Sequence, residues 1–454
     1  MKIRIFETYD WTGDYIDVEA TSARVTRQLM SRDEITITVE ANEPIDFKIG
    51  MCVRDVGTPL FSYYFLNELP AYEKRAWNEH IYTLVFKAPM HDLDLVSFLS
   101  IDGETDFYYS GRASDFVNLI LSNMSRGRVA WVAGTSDVTE YRNIQFSSLT
   151  CWGALQLIAD EFDLEFDIQE VPASEPMQCS IALKSKVQYT GALELYVGPE
   201  GGIYNLKRTS VDYDKLVTRL YYRGSDRNLP PSYAYEKLRG SANYIESNVD
   251  LFGLKEGVKV FDEVYPHYEG VVTGFEIAAD GKQYLTDSSF PFDLKEEIDG
   301  STTYLIAGTT AKINFLTGNC AGLTLDIADY KHATKQFRLI VFKDERGYEQ
   351  PNATVQPAAG DKYVIFDIKM PTAYVTNAVT ALDAAAAAHL AEVSTPRVAY
   401  TLETGVKWAS SLGVILEPAT EIAITDVDLS LTEACRVVEV SYSLFDPYKA
   451  TAKL

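Results

Sequence analysis

The chain has 454 residues, 46% hydrophobic and 23% charged, with a formal net charge of -24 from 41 basic and 65 acidic side chains. That length exceeds a single hydrophobic core and divides into about three or four domains, and the composition excludes wholesale disorder. A polyanion repels nucleic-acid phosphates, so sequence-specific nucleic-acid binding is disfavoured; a surface along which DNA slides without adhering is compatible with the charge.

The N-terminus, MKIRIFETYDWTGDYIDVEA, lacks the apolar core of a signal peptide. No apolar run approaches the roughly 20 residues of a membrane helix. A soluble chain made in the cytoplasm, without membrane insertion, is expected. The cysteines, Cys52, Cys151, Cys179, Cys320 and Cys435, are scattered and include no C-x-x-C. Buried free thiols in a reducing compartment follow, with neither zinc site nor redox pair.

Residues 1–100 read mostly as strand. ITITVE (Ile35 to Glu40) alternates apolar and polar, as YTLVFKAP (Tyr82 to Pro89) does in part, with turns at Gly50, Gly57 and Pro70. From Asp106 the pattern changes. ASDFVNLILSNM sets Phe116, Leu119, Ile120 and Met124 at helical spacing, and CWGALQLIADEF does the same with Leu155, Ile158, Ala159 and Phe162. Short strands before, between and after give the order β-α-β-β-α-β, predicting a ferredoxin-like α+β unit over 101–187.

Strand patterns resume near Gln188 and continue through KLVTRLYYRGSD. The stretch YIESNVDLFGLKEGVKVFDEVYPHYEG (Tyr244 to Gly270) reads as a long, irregular, acidic connector ending in a proline-aromatic cluster. Beyond it, VVTGFEIAADGKQYLT carries the hairpin signal Asp280-Gly281. Recurrent turns up to Met370 predict an all-β, sandwich-like insert over 266–374. AYVTNAVTALDAAAAAHLAEVS predicts one long helix, 375–393, with Val375, Val379, Leu382, Ala386, Leu390 and Val393 on one face and Pro396 ending it. The remainder returns to strand. The fold class expected is α+β, mostly β, and multi-domain.

No catalytic, cofactor-binding or metal-ligating constellation emerges. His80, His91, His267, His332 and His389 lack metal-ligand spacing and H-E-x-x-H, so structural roles are expected for each. Cys151 sits at a helix start, where a thiol pKa can fall, yet a buried small residue is the simpler reading. The acids Asp160, Glu161, Asp163 and Glu165, and Glu296, Glu297 and Asp299, could supply a glycosidase pair, but 65 acids cluster by chance and solvated faces explain them. DVDLSLTEACRV (Asp426 to Val437) fails as a calcium loop because Leu431 and Val437 hold the glycine and acid positions. GLKEGVK (Gly253 to Lys259) lacks phosphate-loop spacing and reads as a turn. Tyr284, Phe290, Phe292, Tyr304 and Phe315 form either a sugar-stacking platform or, preferably, a core.

Three motifs in order, WGALQLIADEFDLEFDIQ, then KLVTRLYYRGS followed by YIESNVDLFGLKEGVKVFDEVYP, then the long helix with STPRVAYTLE, VILEPATEIAITDVDL and CRVVEVSYSLFDPY, resemble the hub or tail-tip proteins of long-tailed bacteriophages, including prophage tail-associated proteins. The resemblance covers most of the chain. It implies two β-barrel-like domains related to the tail-tube fold, each interrupted by an insert: 1–100 with 188–215, and 216–265 with 375–454. It further implies a homotrimeric ring that offers six similar surfaces to a hexameric tube, closes it, and joins it to distal tail or baseplate proteins in the virion tail. Family members often continue into a cell-wall hydrolase or receptor-binding module; the ending FDPYKATAKL leaves no expected place for one. A non-enzymatic structural role is therefore expected. A tail-borne cell-wall hydrolase, or glycan contact through 266–374, stands as the alternative.

Overall fold

The computed structural model describes all residues except 9–12, 55, 59–60, 140–141, 172–177, 189–192, 199, 210–215, 344–348, 354, 397–398 and 427–430. The chain is mostly β, with helices α1 (Ala113–Met124), α2 (Cys151–Phe162), α3 (Val249–Phe252), α4 (Thr372–Val393) and α5 (Val406–Leu412).

Strands Lys2–Phe6, Tyr15–Gln28, Arg32–Ala41, Glu79–Lys87, Tyr63–Leu66 and Cys52–Arg54 pair in a ring, because Lys2–Phe6 joins both Tyr15–Gln28 and Cys52–Arg54. The alternation read in ITITVE drives this closure: Ile35, Ile37 and Val39 point inward, while the intervening residues are partly exposed. Among the described residues, closing the ring gives each of these six strands a neighbour on both sides.

Tyr15–Gln28 is 14 residues long, which lets it serve two sheets. Along one edge, residues 15–19 pair with Lys2–Phe6 and residues 24–28 pair with Glu439–Ser443. From there an open half-barrel continues through Asp446–Lys453, Ala399–Thr404, Gly202–Thr209, Leu193–Val197 and Glu421–Asp426 to Leu431–Arg436. Two sequence expectations on strand partners change accordingly. Leu193–Val197 and Gly202–Thr209 pair with C-terminal strands and not with the first barrel. Segment 216–265 contributes nothing to the C-terminal sheet. Alternation identifies a strand, but its backbone donors and acceptors pair with whichever edge the tertiary fold presents.

The predicted faces of α1 and α2 are buried as expected. Thr150 caps α2 by accepting from Gly153 N at 3.2 Å, and Asp163, in the left-handed region at φ 53°, ends it. The single four-stranded sheet of a ferredoxin-like unit is not formed. Asp106–Gly111 pairs antiparallel with Arg142–Ser147, while Gln178–Lys184 lies between Glu165–Glu170 and Ala130–Ala133. That additional strand takes the central place and splits the sheet in two. One continuous core joins this module, the barrel and the half-barrel.

The stretch read as a connector is largely structured. Arg219–Gly224 is the centre of a three-stranded sheet between Arg239–Glu246 and Glu256–Phe261, and α4 covers it. Gly257 permits this pairing, since a Cβ there would lie 2.7 Å from Val217. Helix α4 packs through Ala378, Leu382, Ala386 and Leu390, with Val375, Val379 and Val393 at the margin.

Between Glu269 and Phe366, the expected sandwich is instead a second small barrel. Its sheet runs from Glu269–Val271 through Lys362–Phe366, Lys312–Phe315, Thr324–Lys331, Gln336–Leu339 and Gln283–Thr286 to Gly274–Ile277. The two end strands are almost continuous in sequence. Val272 N donates to Asp361 O and Thr273 N to Thr286 O, both at 2.8 Å, so segment 269–277 closes the sheet on itself. The Asp280-Gly281 hairpin forms as predicted, with Gly281 at φ 79°.

Candidate functional site

The histidines are dispersed and each meets local partners. His80 Nδ1 lies 2.8 Å from the Tyr72 hydroxyl, and His267 Nδ1 lies 2.8 Å from Tyr265 O. His332 contacts Phe292 O and Lys335, and His389 abuts the Phe261 ring edge-on. His91 Nε2 accepts from Asp33 N at 3.4 Å, and burial, aided by nearby Lys87, lowers its pKa to about 4. Among the described residues no group of three or more His, Cys, Asp or Glu side chains could hold a metal. No helix among them is long and apolar enough to cross a membrane.

Burial pushes the Cys151 thiol up to about 12, overriding any effect of the helix start. Asp160, Glu161, Asp163, Glu296, Glu297 and Asp299 are exposed. Phe290, Phe292 and Phe315 are buried in the small barrel's core, so the five rings do not form one platform. Of the segment Asp426 to Val437, residues 427–430 lie outside the described residues; Leu431–Arg436 is a strand. Gly253 to Lys259 runs from the end of α3 into Glu256–Phe261 and not through a phosphate-loop turn.

What the fold does bring together is an ionic joint between barrel and half-barrel. Arg27 and Asp33 face each other in register across adjacent strands, both 3% exposed, with Arg27 Nε 2.9 Å from Asp33 Oδ2. The Tyr64 hydroxyl donates to Asp33 Oδ1 at 2.9 Å. From the half-barrel side, Glu417 Oε2 approaches Arg27 Nη1 to 3.6 Å, and Tyr442 packs nearby. Burial pushes both carboxyls, Asp33 and Glu417, upward, and Arg27 opposes it. Burial also disfavours the Arg27 charge, but Asp33, Tyr64 and Glu417 outweigh that and keep it protonated. A charge buried at this depth persists only when paired. The joint was visible in principle: Arg27 continues the inward phase of Ala23 and Val25, and Asp33 that of Ile35, Ile37 and Val39. Two opposite charges on buried phases of consecutive strands are a contact signal that motif searching does not detect.

Among the described residues, several side-chain contacts clamp the α+β module, three of them through Ser62, Arg128 and Arg436. Ser62 Oγ donates to Glu170 Oε1 at 2.6 Å. Arg128 holds Asp92 at 2.7 and 2.8 Å while resting 3.9 Å from the Phe65 ring centre. Arg436, on the free-edge strand of the half-barrel, grips Glu165. Together with the shared core, these contacts join barrel, module and half-barrel.

No family model matches the chain, and no curated protein matches it. Its fold is similar to that of a solved tail protein. The tail protein from Neisseria meningitidis MC58 superposes with a TM-score of 0.51 at 8% identity, covering 100% of this chain and 95% of that one. At that identity the likeness is one of fold. The 43 kDa tail protein of prophage MuSo2 from Shewanella oneidensis aligns with a TM-score of 0.47, 10% identity and coverage of 100% and 97%. A prophage tail protein from Listeria monocytogenes EGD-e gives 0.45, 9% and coverage of 100% and 94%.

Proposed function

We propose that this protein is a non-enzymatic component of a phage or prophage tail tip or baseplate hub, working as a homotrimer that closes the tail tube and joins it to the tip. The carrying observation is a closed six-stranded barrel fused through one long strand, Tyr15–Gln28, to an open half-barrel, in a fold shared with a tail protein. Two β units per subunit, repeated three times, present six comparable surfaces, which reconciles a trimer with a hexameric tube. We assign the closed barrel and the half-barrel as those units. The α+β module over 101–187 and the barrel within 266–374 are the inserts.

The net charge of -24 fits a conduit that passes DNA without holding it. Tail-tube and distal tail or baseplate proteins are the partners this reading requires, and assembly takes place in the virion tail. Light scattering, alone and with the tube protein, tests the mass. A trimer is expected in the presence of the tube end. Complete, capped tails formed by a phage lacking this subunit would overturn the assignment.

A further inference from the structure

The small barrel carries a feature that tube closure does not use. On its outer face, Lys282, Tyr284, Asp329, Lys331, Gln336 and Arg338 surround a hollow of about 330 Å³. Apart from Lys282, which precedes Gln283–Thr286, the residues come from three neighbouring strands, with Tyr284 and Asp329 both opposite Arg338 and Lys331 opposite Gln336. They alternate with the buried Leu285, Phe337, Leu339 and Tyr330, so the barrel's own core fixes their outward direction.

The charges in this hollow are unbalanced. Lys295 already occupies Asp329, with Nζ 2.6 Å from Oδ1, and Lys282 reaches Asp280 at 2.5 Å. Among the described residues, Lys331 and Arg338 make no side-chain hydrogen bond or ion pair. Asp280 holds Lys282 protonated above the ordinary lysine value, and Arg338 works against it, so two like charges face one space. Glu276, opposite Tyr284, is the remaining carboxylate at the rim. Four cations face three carboxylates, of which Asp329 and Asp280 are already paired with Lys295 and Lys282, so Lys331 and Arg338 leave a positive spot on a chain whose net charge is -24. Like charges held together are unfavourable in water and are relieved by an anion.

We propose that this hollow binds one anionic saccharide unit, bearing phosphate or carboxylate. The anionic group sits between Lys331 and Arg338 with Lys282 beside it, a planar guanidinium and ammonium groups being suited to such oxygens. The sugar ring lies against Tyr284, and the Gln336 amide meets its hydroxyls. The volume is at the lower end of small-ligand sites, about 300–1,000 Å³, and fits one unit and not a tracked backbone. A long nucleic acid would run onto Glu276, Asp280 and the acidic surroundings. This inference stands independently of the tail reading.

The test titrates the full-length protein with four probes: a phosphomannan oligosaccharide, an oligogalacturonate, neutral dextran and duplex DNA. Either anionic glycan is expected to bind, more weakly as salt rises from about 0.05 to 0.3 M; which of the two binds identifies phosphate or carboxylate as the group. The pair Lys331→Gln with Arg338→Gln should weaken binding at least about tenfold. Lys312→Gln, on a different part of the barrel where it pairs with Asp367 at 3.5 Å, should leave it unchanged. If the pair lowers the melting temperature, the single Lys331→Gln, at an exposed position, replaces it. Silence of both anionic glycans, equal loss in Lys312→Gln, or DNA binding as tight as the glycan would each overturn the proposal.

Discussion

Arg436 grips Glu165 across 271 residues of sequence, Nη1 2.7 Å from Oε1 and Nη2 2.6 Å from Oε2. Val187 N adds a third donor to the same carboxylate at 2.7 Å. The pair joins the α+β module to the half-barrel's free-edge strand. Burial alone would raise the Glu165 pKa, but Arg436 and the Val187 amide overcome it and hold the carboxyl below the usual glutamate range.

A group with a depressed folded pKa stabilises above its unfolded value, roughly 4.3, and loses that contribution as pH falls through the folded one. Glu165→Gln is therefore expected to cost about 1–3 kcal/mol at pH 7. The gap to the parent protein should close at acid pH. Urea unfolding of both proteins across pH 3 to 7 (roughly, bracketing that range) measures it; a gap independent of pH would contradict the role given to the charge.

His91 predicts a second, separable pH effect. Its pKa falls from the ordinary 6.5 to about 4 through burial, so the unfolded chain takes up a proton that the folded chain refuses. Stability is then full above the unfolded value and declines from there to about pH 4, by about 3 kcal/mol at most. His91→Gln should flatten this limb, read as the difference in urea midpoint between neutral and mildly acid buffer.

The Arg27–Asp33 joint predicts an asymmetry. Arg27→Met alone leaves Asp33 buried without its cation and should cost about 3–5 kcal/mol, whereas replacing both with apolar residues should cost much less. Tyr64→Phe removes one hydrogen bond and should cost about 1–2 kcal/mol. Thermal unfolding of the single and double variants checks the order.

In the small barrel, Gly270 lies directly opposite Tyr363, and a Cβ there would enter the tyrosine ring. The Tyr363 hydroxyl donates to the fully buried Asp287 at 2.8 Å, which Ser289 also holds through N and Oγ at 2.8 and 2.6 Å. Gly270→Ala is expected to displace the ring, cost about 1–3 kcal/mol, and speed amide exchange along 269–277. Tyr363→Phe should keep the closure and lose only its hydrogen bond.

Where local pattern was strong, the elements are legible from residues alone. Val375 to Val393 repeats at 3.6 residues, and the α4 face follows from that spacing. The Asp280-Gly281 hairpin is equally local. The joint at Arg27 and Asp33 was half legible, through charges on buried phases. The hollow around Arg338 was not, since its cations are far apart in sequence and each alone is an ordinary surface residue.

What the amino-acid order determined by itself is the inventory: which segments are strand or helix, and which face of each is apolar. Those properties depend on neighbours a few residues away. Tertiary structure alone decided partnership. Strand 202–209 chose 399–404 over the first barrel, Gln178–Lys184 divided an expected single sheet, and segment 269–277 bent to close a barrel. Every backbone amide can pair with any carbonyl, so pairing carries no residue code; it is set by which edges meet when distant apolar faces are buried together.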